Sequence, residues 1–307
     1  MAHRILKPKL LFTVWAVVTF VFLFLPIFVM VVFAFNRPSL ASMPDFDGSN
    51  MSALSPAQIG DVTLWNGFTH GWFSVALHSP LYLPAIIKSA EIALLTATIA
   101  TAIGLCAALA LARMKRRRRA PFDALVYLTL VVPEIVLAVG LLVFFVQAGV
   151  YVPGFPELGA GTILLGQVIF DASLAMLIIR ARFVGMGDSL EEASYDLGAR
   201  PLSTFRQVTL PRLMPAVVAA FLLSFTFSFD DYVVPAFTNG TTNTWPIVLY
   251  SAVRFGITPS VNAMATMMFA VNVLLIVITA LILRRSRVRV GPGQEKAKGL
   301  GGAMGLG

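Results

Sequence analysis

The stretch DSLEEASYDLGARPLSTFRQVTLP, residues 188–211, decides how this chain is read. It is a long polar interruption between apolar runs, and it carries the marks of a built element. Asp188 and Ser189 are good N-cap residues. Glu191 and Glu192 fall in the first turn, where carboxylates complement the helix dipole. Gly198 follows Leu197, where a C′ glycine ends a helix. The spacing predicts a short helix of about two to three turns, on the order of 13 Å long. Leu190, Ala193 and Leu197 recur at positions that share one face. Pro201 delays the next helix, and Pro211 is expected to open it, as a first-turn proline is tolerated. Local chemistry leaves two readings. One is a capped surface helix joining two membrane spans; the other is a docking helix that lays its face into a groove on a soluble partner.

Working outward, the remaining sequence is apolar to a degree no soluble core of this size needs. Of 307 residues, 58% are hydrophobic and 12% charged, and the mean hydropathy is +0.83. Long uncharged runs define an all-α, polytopic membrane protein. The formal net charge of +8 raises the question of nucleic acid, but the placement of the charges answers it below. The single cysteine, Cys106, has no internal disulfide partner and reads as a small packing residue.

Six spans are expected. Leu10–Phe35 is apolar throughout and too long for the core of a signal peptide, so it reads as an uncleaved first span bent at Pro26. Residues 36–85 form a polar loop with acids Asp45, Asp47 and Asp61. Its Trp65 and Trp72, with Tyr82, suit a membrane interface, and part of it is a candidate lateral helix. Residues 86–113 make the second span, rich in the small residues that allow close helix packing. The third is 122–145, with Pro133-Glu134 inside it. The fourth is 161–179, containing Asp171. The fifth is 213–237, with Asp230-Asp231 near its far end. The sixth is 261–283. A polar segment with turn signals at Asn239-Gly240 and Pro259 joins the last two. The domain reading is residues 1–85 as tail, first span and outer loop, 86–284 as a five-helix core with a loop at 186–211, and 285–307 as a basic, then Gly-rich tail read as disordered.

Of the 23 Lys and Arg residues, only Arg37, Lys88 and Arg254 fall on the far side or its edge. The positive-inside rule then makes the near side cytoplasm, with both termini there. The Lys115–Arg119 run sets topology and touches anionic lipid headgroups; no nucleic-acid role is assigned to it. The sequence contains no Gly-Lys pair, hence no phosphate loop, and the chain is not expected to bind or hydrolyse ATP. No HExxH, Cys/His cluster or serine nucleophile elbow is present, so no catalytic or metal residue is proposed.

Ionisable residues inside spans are costly and are functional candidates by default. Helix rise places Glu134 roughly 18 Å from the inner end of its span and Asp171 roughly 15 Å from the outer end of its own. Asp230 and Asp231 lie roughly 27 Å from the inner end of theirs. Glu91 is expected to pair with Lys88 on the same helix turn. Asp171 reads either as a hydrogen-bonded structural acid or as part of a path. Glu134, Asp171, Asp230, Asp231 and the neighbouring Tyr232 form a candidate substrate path. Acids without bases, flanked by aromatics able to make cation–π contacts, favour a cation.

Glu192-Ala193-Ser194, three residues, Gly198, nine residues, then Val208-Thr209-Leu210-Pro211 resembles the EAA loop of ABC importer permeases. That motif reads Glu-Ala-Ala, three, Gly, nine, Ile, one, Leu-Pro. Ser194 stands for the second alanine and Val208 for the isoleucine. The stretches Ser224–Gly240, Thr244–Thr266 and Val131–Val136 are similar to the spermidine/putrescine branch, with Lys88 and Trp245 as departures. The resemblance implies a type I, MetI-like transmembrane domain in a bacterial inner membrane. It also implies partners: ATP-binding cassette ATPases, which use the ATP, a second homologous permease and a periplasmic substrate-binding protein. The ATPase-coupling element would comprise Glu191, Glu192, Ala193, Ser194, Gly198, Leu210 and Pro211. Glu192 would orient the helix, Ala193 would allow close approach, and Gly198 would make the turn. The expected cargo is a polyamine. Alternatives are another substrate (ferric ion, thiamine or an opine), a proton-coupled secondary transporter, or a membrane scaffold that docks a partner without flux.

Overall fold

The computed structural model describes residues 8–37, 64–187, 189–255 and 259–288. The expected N-cap Asp188, the loop acids Asp45, Asp47 and Asp61, and the tail beyond residue 288 lie outside the described residues. Among the described residues the chain is helical, with one isolated antiparallel bridge between Asn36 and Phe68. The helices are α1 (Pro8–Phe33), α2 (Gly71–Leu77), α3 (Tyr82–Arg113), α4 (Arg116–Val131), α5 (Glu134–Tyr151) and α6 (Ala160–Val184). They continue with α7 (Ser189–Asp196), α8 (Pro201–Asp230), α9 (Val233–Thr238), α10 (Trp245–Phe255) and α11 (Pro259–Val288). Five of them are long and apolar enough to cross a membrane: α1, α3, α5, α6 and α8. A shorter apolar stretch, Pro259–Val271, opens α11.

The chain divides into two units, residues 1–78 with 257–307, and residues 79–256. In the first, Asn36 is the organising residue. Its side-chain amide donates to the Leu64 carbonyl at 2.7 Å and accepts from the Asn66 N–H at 2.8 Å. Its own carbonyl accepts from the Trp72 indole at 2.8 Å. Trp72 is therefore buried in protein. An indole N–H needs a partner once buried, and Asn36 supplies it. The lateral helix expected in this loop is α2.

In the second unit α6 packs along α3, and α8 lies against both. Lipid tails are as apolar as leucine, so close packing of small side chains, not water exclusion, holds such helices together. The buried face of α3 is built accordingly from Ala93, Ala97, Ala100, Gly104 and Ala108. At Gly104 the approach is closest: a Cβ there would lie 2.7 Å from the Ala175 Cβ and 2.8 Å from the Met176 nitrogen. Ala108, Leu111, Ala175, Met176, Ile179, Leu213 and Ala220 continue the core below it. Between α4 and α6, Asp123 accepts from Arg180 and, at 3.1 Å, from Arg119, an ion-paired cluster that anchors α4. Cys106 is exposed on this chain, which corrects its reading as a packing residue: it lies off the small-residue face.

Four element boundaries differ from the sequence reading, each for a backbone reason. The third span is broken at Val132-Pro133, because proline has no N–H to continue the ladder and forces its predecessor out of helical geometry; Val132 is extended at φ −60°, ψ 129°. The fifth span ends at Asp230, with Asp231 extended at ψ 124° and the short α9 beyond. Residues 245–255, read as polar connection, form α10. Finally, α8 begins at Pro201, not Pro211. The helix accommodates Pro211 by widening into a π turn over Phe205–Thr209, in which the Leu210 N–H reaches the carbonyl of Phe205, five residues back. Such a turn, like other π-bulges, is frequent at functional sites.

Candidate functional site

Two regions of the second unit carry chemistry. The first is the short helix α7. Its C-terminus is a complete Schellman motif: the Gly198 N–H bonds the Tyr195 carbonyl at 2.8 Å and the Ala199 N–H bonds Ser194 at 3.1 Å. Gly198 has φ +81°, a left-handed conformation that suits glycine at C′. One side of α7 is tied to α8. Glu191, with its side chain 15% exposed, accepts from the Thr209 hydroxyl and faces Arg113 at 3.6 Å. Ser194 shares a hydrogen bond with Thr204 at 3.0 Å. The other side is free on this chain: Leu190, Glu192, Ala193 and Tyr195 are exposed, and Leu197 is 89% exposed. Leu210 is half-buried just past the π turn, and Pro211 is exposed. The carboxylate that holds the helix in place is thus Glu191, while Glu192 points outward from the pair.

The second region is a cavity of about 70 Å3 between the two helix breaks. The C-terminal turn of α4 brings Thr129 to it, the break beyond supplies Val132, and the first turn of α5 brings Glu134. The end of α8 supplies Phe227 and Ser228, and the break beyond it supplies Asp231. The unbroken α6 runs between them with Gln167, Phe170 and Asp171. Each break also leaves the last carbonyls of a helix without intrahelical partners, and these carry the negative end of a helix dipole.

Three of the five path candidates meet here. Glu134, Asp171 and Asp231 all line it, close enough for their charges to interact. Asp171 is 2% exposed, and its Oδ2 is buried with no hydrogen-bond partner among the described residues. Buried polar atoms normally have one, which sets this oxygen apart from the rest of the lining. None of the lining residues is basic. Phe170 and Phe227 close one wall with ring centroids 6.0 Å apart. Asp230 is exposed and the Tyr232 ring packs against Tyr250, centroids 4.5 Å apart and planes tilted by 33°; neither residue lines the cavity. The adjacent aspartates are separated by the end of α8, which turns their side chains apart. Glu91 pairs with Lys88 at 2.6 Å, away from the cavity.

Sequence reasoning missed Gln167 and Ser228, which pin Asp231 in place. Gln167 accepts from the Ser228 hydroxyl at 2.7 Å and donates to Asp231 at 2.9 Å. A signal was present: Gln167 is one helical turn before Asp171, so two polar side chains share a face in an otherwise apolar run.

A multi-helix membrane chain with an interior acidic cavity and an ordered, exposed polar helix between two spans fits the class of transport permeases. The chain belongs to the family described as binding-protein-dependent transport system inner membrane component, whose model matches residues 100–288. It is 32% identical over 287 residues to the spermidine/putrescine transport system permease protein PotC of Haemophilus influenzae, covering 93% of this chain and 99% of that one. It is also 32% identical over 284 residues to the putrescine transport system permease protein PotI of Escherichia coli K12, covering 91% and 93%. Among solved structures it shares its fold with a bacterial ABC transporter involved in the import of the acidic polysaccharide alginate (TM-score 0.63, 16% identity, 93% of this chain and 98% of that one). The inward-facing MetNI methionine ABC transporter is similar as well (TM-score 0.55, 18% identity, 67% and 95%).

Proposed function

We propose that this chain is a membrane subunit of an ATP-driven importer whose cargo is a polyamine, putrescine or spermidine. The observation that carries the proposal is the convergence of Glu134, Asp171 and Asp231 on one cavity with no basic side chain in its lining. Ammonium groups are three-donor cations, and an unpartnered carboxylate oxygen beside two further acids is matched by such a donor. An anionic cargo would call for Arg, Lys or helix N-termini instead. Relatives that transport polyamines by name support the same reading.

In this reading a periplasmic binding protein delivers the cargo, and a second, homologous permease forms the other wall of the path. Two ATPase subunits each receive one α7-type coupling helix. The exposed Leu190, Ala193 and Leu197 would enter the ATPase groove, and Glu192 would meet a charge at its rim. ATP binding by the partners draws the coupling helices together and turns the path outward; hydrolysis resets it. The arrangement of basic residues favours an inner membrane location with both termini in the cytoplasm.

The test is uptake of labelled putrescine and spermidine in cells with and without the gene, with ATP depleted in one arm and the proton gradient collapsed in another. Gene-dependent uptake that fails on ATP depletion and survives gradient collapse is the expected result. Uptake that follows the gradient would replace this reading with a proton-coupled carrier. No polyamine uptake would send the search to other cationic substrates.

A further inference from the structure

We infer that Gln167 is the positioning residue of the cation path: it aims the Asp231 carboxylate into the cavity without cancelling its charge. The inference rests on the cation-path reading above. Gln167 is 4% exposed and lies on α6, the unbroken helix between the two breaks. Two acceptors face its Nε2, the Ser228 carbonyl at 3.2 Å and Asp231 Oδ2 at 2.9 Å. Only the amino end of the amide satisfies both, and the amide has two N–H groups to give. Its Oε1 takes the Ser228 hydroxyl at 2.7 Å. The amide orientation is therefore set by the network rather than free to flip.

The Ser228 carbonyl is one of the last four of α8 and has no intrahelical partner, so Gln167 also closes the end of that helix. The other carboxylate oxygen of Asp231 accepts the Val234 N–H at 3.3 Å. Asp231 is thus held at both oxygens by neutral donors. An arginine or lysine in place of Gln167 would hold the carboxylate equally well, but would fill the cavity with a fixed positive charge. A neutral, two-donor amide gives orientation while the charge remains available to the cargo.

The test is a double-mutant cycle read as putrescine uptake kinetics in cells carrying the complete importer and no other polyamine route. The variants are Gln167→Leu, of similar volume, Asp231→Asn, and the two together, each normalised to its content in the membrane. Gln167→Leu is expected to raise the half-saturating concentration about tenfold with maximal rate within about twofold, as loss of an oriented charge–dipole contact would. Asp231→Asn is expected to lose about tenfold in uptake, with Glu134 and Asp171 still present, and the double variant to be no worse than Asp231→Asn alone. Losses that multiply in the double variant overturn the proposal, because Gln167 would then act independently of Asp231. Should Gln167→Leu not reach the membrane, Ser228→Ala tests the same point. It removes only the hydroxyl that orients the amide, and its smaller effect should vanish in the Asp231→Asn background; persistence there overturns the proposal. Unchanged uptake in Asp231→Asn alone would instead overturn the cation-path reading itself.

Discussion

Removing the carboxylate of Glu191 should uncouple ATP hydrolysis from transport. The helix α7 has eight residues, too few to be stable alone in water, so it depends on its ties to α8. The main tie is the Thr209 hydroxyl donating to Glu191; a hydrogen bond to a charged acceptor contributes about 1.5–3 kcal/mol. Arg113, whose side chain is 57% exposed, adds about 0–1 kcal/mol. Glu191→Ala therefore loses about 2–3 kcal/mol of docking, which multiplies the released fraction of the helix by about 30- to 150-fold. Glu191→Gln keeps an acceptor for Thr209 but gives up the charge assistance of that bond, about 1 kcal/mol, together with the contribution of Arg113, about 0–1 kcal/mol. In reconstituted vesicles Glu191→Ala should retain ATP hydrolysis while uptake falls at least about tenfold, and Thr209→Val should resemble it. Glu191→Gln should be impaired less than Glu191→Ala, keeping uptake within about fivefold of the parent. Equal damage from Gln and Ala would show that charge, not docking, is what matters at this position, and normal transport by Glu191→Ala would refute the argument altogether.

Other outcomes follow from the same geometry. Glu134→Gln should depress polyamine uptake while Asp230→Asn leaves it near the parental rate, since only the first lines the cavity; equal effects would mean that the path runs elsewhere. Gly198→Val forces a β-branched residue into φ +81°, costing at least about 1–2 kcal/mol, and should abolish uptake without reducing the amount of protein in the membrane; normal uptake would detach the turn from coupling. Leu197→Asp should prevent co-purification of the ATPase subunits while the permease remains inserted, and intact co-purification would remove the exposed face from the interface. Gly104→Leu should reduce the amount of folded permease recovered in detergent, because overpacking costs about 1–3 kcal/mol or more where Ala175 already stands 2.7 Å from a Cβ; full recovery would mean that α3 and α6 part easily.

Much of this was legible in residues 188–211. The glycine turn and the shared apolar face depend on neighbours in sequence, and the Schellman end of α7 follows from them. The apolar runs likewise announced the helices. What stayed hidden depends on partners distant in sequence. Nothing local distinguishes Glu191 from Glu192; the difference is that Thr209 lies opposite one of them. Nothing local separates Asp230 from Asp231 either, until α8 stops between them. Pro133 marked the break in the third span, but apolar length outweighed it, as it did for the junction of α8 and α9. Pro211 misled because a π turn further back absorbs its missing donor. Cys106 was misread because composition gives the depth of a residue in a membrane, not the face of the helix it sits on.

The helix α8 joins these two regions physically. Its near end carries Thr204 and Thr209, which hold α7, and its far end carries Ser228, beside Asp231. From Leu210 to Asp230 it is a rod of about 30 Å, so pivoting it by about 5° at the π turn would swing the far end by about 2.6 Å. That displacement is comparable to the reach of a single hydrogen bond. A small angular change at the end that holds α7 is therefore enough to pull Asp231 away from Gln167 and reshape the cavity. The helix is a lever, and its length sets the gain.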